Sequence, residues 1–160
     1  MTYKIRPIEP KDDTKIAVVI RSVLVEMGVP KVGTAYEDAA LDEMYNTYDK
    51  QGCKYFVVVN EDKVLGGGGI APLEGGDVDV CELQKMYFLN EVRGKGLGKK
   101  VIEKCIDFAE KSGYKKIYLE TMPYMEAARI LYRKLGFVSL QSPMGNTGHY
   151  SCQEWMIKEL

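Results

Sequence analysis

Apolar positions along the chain alternate between helical and extended spacing. Tyr3 to Arg6 is a short extended run ending at Pro7. Ile16, Val19, Ile20, Val23 and Leu24 share one helical face; Asp12 or Asp13 is placed to cap that helix, which runs through Val25 and stops at Gly28-Val29-Pro30. A weaker helical pattern, with Ala40, Leu41, Met44 and Tyr48, spans Glu37 to Asp49. Lys54 to Asn60 reads as a strand, and after a tight turn Val64 to Leu73 returns as its hairpin partner. Val78 to Leu89 is a longer extended run, about twelve residues against a usual five or six. The pattern then gives an amphipathic helix from Leu97 to Lys111 and a strand over 116–121. A helix from Met125 to Leu135 follows, stopped by Gly136, then strands from Phe137 to Leu140 and from His149 to Lys158. The order β-α-α-β-β-β-α-β-α-β-β predicts a mixed α/β fold around one sheet, in a single domain over residues 1–160.

Two glycine-rich stretches interrupt this pattern. Gly66-Gly67-Gly68-Gly69 lies inside a strand, where four glycines weaken the ladder and point to a bulge or to close approach of another backbone. No helix follows it, which argues against a phosphate loop. The second stretch, Val92-Arg93-Gly94-Lys95-Gly96-Leu97-Gly98-Lys99-Lys100, sits where a strand hands over to a helix. The first backbone N–H groups of a helix lack partners and carry partial positive charge, and glycines let a diphosphate approach them. The spacing departs from two common nucleotide motifs. No Ser or Thr follows Gly98-Lys99 to hold magnesium, and the third glycine comes one residue too early for Gly-x-Gly-x-x-Gly.

What remains is Arg-x-x-Gly-x-Gly, Arg93 to Gly98, which resembles the pyrophosphate-binding signature of the GNAT acetyltransferase superfamily. The run Ala127-Ala128-Arg129-Ile130-Leu131-Tyr132-Arg133-Lys134-Leu135-Gly136-Phe137 resembles that family's second signature, a helix with a Leu-Tyr pair closed by Gly-Phe. The two occur in the family's order and approximate separation, and the resemblance covers nearly the whole chain. It implies a GNAT-like mixed central sheet with splayed central parallel strands and helices on both faces. It also implies acetyl-CoA as cosubstrate. The pyrophosphate would lie on Arg93, Gly94, Lys95, Gly96, Leu97, Gly98 and Lys99, and the pantetheine arm on the backbone edge of Met86, Tyr87 and Phe88. One position departs from the family: where many members carry an Asn that bonds the CoA arm, this chain has Met125, whose thioether accepts hydrogen bonds poorly.

The formal net charge is −1, so neither nucleic acid nor a membrane surface is implied as partner; the positive charge is local, at Arg93, Lys95, Lys99, Lys100 and Lys104, and suits one small polyanion. Cys53, Cys81, Cys105 and Cys152 read as free thiols in a reducing compartment, with no Cys-x-x-Cys pair. With His149 the sole histidine, no metal is expected. The N-terminal residues lack an apolar leader pattern and no run approaches a membrane span, so a cytoplasmic protein is expected.

Acetyl transfer to an amine needs a proton acceptor for the nucleophile and a proton donor for the leaving thiolate. The resemblance places Tyr132 as the acid. Glu82 and Glu120 are both candidates for the base, with solvent as the alternative. A carboxylate in an apolar strand at the splay would have a raised pKa, and Glu120 lies opposite the apolar face of Ile117 and Leu119. His149 reads as a strand-edge residue, with reach to the acceptor site as a base or substrate contact as the alternative, and Cys152 lacks the partners of a nucleophile. The acceptor, a small-molecule or peptide amine, would meet Glu26, Tyr36, Glu37 and the loop from Met144 to His149. An edge strand and Trp155 would suit a homodimer. The competing reading is an acyl-CoA-binding or regulatory module that does not turn over.

Overall fold

A computed structural model describes residues 2–123 and 125–160. Seven strands form one sheet: β1 (Lys4–Pro7), β2 (Lys54–Asn60), β3 (Lys63–Pro72), β4 (Val80–Phe88), β5 (Lys116–Thr121), β6 (Val138–Leu140) and β7 (Glu154–Glu159). Their order is β1-β2-β3-β4-β5-β7-β6, antiparallel throughout except for the parallel β4–β5 pair. The helices are α1 (Asp13–Glu26), α2 (Met44–Tyr48), α3 (Leu97–Lys111) and α4 (Glu126–Lys134). Two cores follow from the strand alternation. Tyr55, Val57 and Val59 join Ile16, Ile20 and Leu24 of α1 on one face; Val58 and Leu65 join Val101, Ile102 and Cys105 of α3, with Tyr132 of α4, on the other.

Only three residue pairs join the parallel strands: Val80 with Lys116, Cys81 with Ile117, and Glu82 with Tyr118. Beyond Glu82, β4 stays on β3 while β5 goes with β7, so the sheet opens between them. A bulge in β4 marks the opening. The β3–β4 register shifts between Gly67, paired with Tyr87, and Gly69, paired with Gln84, and Lys85 takes a left-handed φ of 53°.

The four glycines serve this bulge. The Tyr55 ring lies across Gly67 and Gly69, where an added Cβ would fall 2.6 Å and 2.5 Å from ring carbons, and the Met86 side chain crowds Gly68 on the opposite face. The expected close approach is therefore made by side chains as well as by backbone.

Two expected elements differ. The pattern over Glu37 to Asp49 is not one helix: it forms short 3-10 turns at Ala35–Glu37 and Ala39–Asp42, then α2. Glu43 leaves helical geometry at φ −135°, and the carboxylate of Asp13 accepts the Tyr45 N–H (2.8 Å), so α2 takes its terminal contact from α1. The last strand begins at Glu154 rather than His149. The Cys152 N–H closes a turn on the His149 carbonyl (3.0 Å), and Ser151 bonds the carbonyls of Gly33 (2.9 Å) and Val32 (2.7 Å), which draws this segment off the sheet. Trp155 packs with Leu73, Val80 and Tyr118 within this chain.

Candidate active site

The glycine turn ends in α3 as the motif predicts. Gly94 (φ 75°) and Gly96 (φ 76°) are left-handed, and Gly96 is the N-cap residue with no side chain capping it. The amino terminus of α3 therefore opens outward. Gly94, Lys95, Gly96, Lys99 and Lys100 are exposed, whereas the Leu97 side chain is buried. Arg93 is engaged within the protein: its Nε donates to the Phe88 carbonyl (2.9 Å) and its Nη2 to Glu26 (2.6 Å). That clamp ties the turn to the end of β4 and to α1. Met86, Tyr87 and Phe88 lie on the part of β4 that has left β5, so their backbone borders the opening.

Tyr132 is buried near the foot of α4, its ring edge-on to Phe137 (5.8 Å between centroids). Burial, aided slightly by Cys105, pushes its hydroxyl well above the ordinary tyrosine value. It packs in the core on the α3 side of the sheet.

On the opposite face, beneath α1, lies a small cavity of about 50 Å³ bordered by Glu82, Gln84, Lys85, Glu120, Met125, His149 and Cys152. A broader depression of about 620 Å³ beside Lys15 and the β2–β3 turn shares none of these residues. The Glu82 side chain is 5% exposed and accepts one hydrogen bond, from Gln84 Nε2 (2.7 Å). Burial raises its pKa to about 7; the nearby Glu120 adds to this, while Gln84, His149 and Lys85 work against it. Gln84 in turn accepts from the Tyr48 hydroxyl (2.5 Å), which Lys85 approaches at 3.3 Å. Lys85 is itself buried, and desolvation lowers its pKa against the pull of Asp38 and Glu82.

Glu120 is held differently. It accepts from the hydroxyls of Tyr118 (2.7 Å) and Thr147 (2.5 Å). His149 links it to Asp38: Nε2 lies 2.8 Å and 3.0 Å from the Asp38 oxygens, and Nδ1 lies 3.6 Å from Glu120. Burial depresses the imidazole's pKa, but the Asp38 bond and the surrounding carboxylates outweigh it and the net shift is upward.

Thus Glu82, in the last paired rung of β4 and β5, and Glu120, two residues beyond its partner Tyr118, line the cavity together. His149, expected at a strand edge, is a partly buried partner in the same cluster. Of the expected acceptor contacts, Glu26 is occupied by Arg93, Glu37 accepts the Gly33 N–H (2.7 Å), and Tyr36 stacks under Lys31. Asp38, Gln84 and Tyr48 join the cluster without a local sequence signal, and Lys85 joins it from within a strand. The weak helical pattern hid Asp38, and a lysine inside a strand carries no local sign of burial. Met125 lines the cavity and its sulfur faces the Thr121 hydroxyl (3.5 Å).

The Acetyltransferase (GNAT) family model matches residues 23–137. The chain belongs to that family, and it is an N-acetyltransferase. It is 45% identical over 156 residues to the uncharacterized N-acetyltransferase YjgM of Escherichia coli (strain K12), covering 97% of this chain and 93% of that protein. Its fold superposes on a GNAT-family acetyltransferase from Staphylococcus aureus Mu50 with a TM-score of 0.85, at 19% identity and 99% coverage of both chains. It also superposes on the PaiA N-acetyltransferase of Thermoplasma acidophilum, solved in complex with coenzyme A, with a TM-score of 0.78 at 17% identity over 100% of both chains.

Proposed function

We propose that the protein transfers an acetyl group directly from acetyl-CoA to the primary amine of a small molecule or peptide. The observation that carries this reading is the opening between β4 and β5, with Glu82 on one face of the sheet and Tyr132 on the other. The free edge of Met86, Tyr87 and Phe88 offers backbone groups to an amide-rich pantetheine arm, much as an added strand would use them. The outward N–H groups of Leu97, Gly98 and Lys99, with Lys95 beside them, suit the pyrophosphate. Arg93 acts by holding the turn in register through Phe88 and Glu26.

The amine enters from the cavity on the α1 face of the sheet, where the carboxylates of Glu82 and Glu120, with Asp38 behind His149, favour an ammonium group. Once the bound ammonium has released one proton to solvent, nitrogen bonds to the thioester carbonyl carbon and the C–S bond breaks; the second nitrogen proton passes to Glu82 and the Tyr132 hydroxyl protonates the departing thiolate. Glu82 suits the base role better than Glu120. A pKa of about 7 leaves it partly ionised at neutral pH and able to hold the proton it accepts, whereas Glu120 already accepts two hydroxyl hydrogen bonds. Among the described residues the Tyr132 hydroxyl takes no hydrogen-bond partner, which leaves it available to sulfur.

Thiol release from acetyl-CoA, measured with a panel of primary amines, tests the reading. Amine-dependent release with formation of the acetylated amine is expected. Tight CoA binding with no release for any amine would favour a binding module.

A further inference from the structure

We propose that Glu120, His149 and Cys152 form a binding site for a divalent transition metal of the zinc class inside the cavity beneath α1. One carboxylate oxygen, one imidazole nitrogen and one thiol sulfur from these residues lie within 4.8 Å of one another, and all three residues line the same cavity. Nitrogen, sulfur and oxygen donors in one small set are those zinc takes, and three protein ligands leave one position open.

Three further features fit a metal. First, the His-x-x-Cys pair is a chelating turn, closed by the Cys152 N–H on the His149 carbonyl (3.0 Å) and anchored through Ser151 to Val32 and Gly33. Second, Asp38 accepts from His149 Nε2 at 2.8 Å, which puts a proton on that nitrogen and turns Nδ1 toward Glu120. Carboxylate support of the far ring nitrogen is the usual arrangement behind a metal-bound histidine. Third, Nδ1 and the Glu120 oxygen stand 3.6 Å apart, longer than a good hydrogen bond. Two ligands each about 2.0–2.1 Å from a tetrahedral ion stand roughly 3.3–3.4 Å apart, a spacing this pair reaches with a shift of a few tenths of an ångström.

Glu120 keeps lone pairs for the ion while accepting from Tyr118 and Thr147, which orient it. Coordination requires the Cys152 thiolate, so the thiol proton leaves to solvent as the S–metal bond forms. Asp38, Glu82 and Glu120 supply surrounding negative charge, opposed by Lys85 at 3.8 Å from Asp38. The consequence for activity, which rests on the transfer reading above, is that the ion occupies acceptor space and competes with the amine.

Cobalt(II) titrated into metal-free full-length protein is the probe. The expected result is one equivalent bound, a thiolate-to-cobalt charge-transfer band in the near ultraviolet, and loss of that band when zinc is added. Cys152→Ser should abolish the band, Cys53→Ala should keep it, and Asp38→Asn should weaken binding about 10- to 100-fold. No band in the wild-type protein, or a band that survives Cys152→Ser, overturns the site. Should zinc bind without raising KM for the amine, the competition is overturned and the metal site stands. If no amine is acetylated at all, the transfer reading fails while the cobalt titration still decides the site.

Discussion

The Tyr55 hydroxyl donates to the Lys85 carbonyl at 2.7 Å, across the four-glycine stretch of β3. Tyr55 projects from β2, passes over Gly67 and Gly69 of β3, and reaches the one left-handed residue of β4. Side chains at those glycines would block that path. The contact thus holds the bulge from which β4 parts from β5, and through it the edge at Met86, Tyr87 and Phe88.

Removing this support should therefore affect both stability and the donor site. Tyr55→Phe leaves the Lys85 carbonyl without its partner, at a cost of about 1–3 kcal/mol in stability. Gly67→Ala drives a methyl group into the Phe56 carbonyl and the Tyr55 ring, at a similar cost of about 1–3 kcal/mol. Both variants should raise KM for acetyl-CoA more than KM for the amine. Denaturant unfolding and steady-state kinetics check the two halves; an unchanged acetyl-CoA KM in Tyr55→Phe would separate the bulge from donor binding.

The three glycines of the turn should not be equivalent. A Cβ at Gly96 meets no neighbour, but its φ of 76° strains any other residue, so Gly96→Ala should cost about 1–2 kcal/mol and weaken CoA binding. Gly98 is helical, and a Cβ there finds Phe88 at 3.5 Å, an ordinary contact. Gly98→Ala should fold normally, and calorimetry of CoA binding should rank it well above Gly96→Ala.

Tyr132→Phe keeps the ring that packs on Phe137 and deletes only the hydroxyl. The expected loss is about 100-fold or more in kcat, with CoA affinity unchanged. Parallel loss of kcat and CoA affinity would mean that Tyr132 only packs.

Glu82 also carries a stability signature. Its folded pKa of about 7 lies above its ordinary value of 4.5, so the folded state binds the extra proton between those values. The contribution is present below pH 4.5 and is lost as pH rises through 7. Relative to wild type, Glu82→Gln should therefore gain thermal stability between acidic and alkaline pH, read as a Tm difference that grows from pH 4 to pH 8 and then levels off.

The elements of the proposed donor half were legible in the sequence because their determinants are local. The Arg93–Gly98 turn, the amphipathic α3 and the Leu131-Tyr132 helix stop each lie within one short window, where period and glycine placement carry the information. The acceptor half was not. His149 meets Asp38 across 111 residues, and Tyr48 meets Gln84 across 36. No local pattern marks such pairs. The stretch containing Asp38 has helical spacing, yet tertiary contacts from Asp13 and Arg21 break it into short turns. Gly66 to Gly69 did announce a close approach, but that Tyr55 makes it is visible only in the folded sheet.

The pH dependence of amine-dependent thiol release, measured in parallel for the wild-type protein and Glu82→Gln, decides whether Glu82 takes the proton of the amine. Wild-type kcat/KM should rise through a single ionisation near pH 7, and Glu82→Gln should lose both the rise and most of the rate while binding CoA normally. A Glu82→Gln profile with the same rise and a comparable rate would contradict that role and transfer the proton to Glu120 or to solvent.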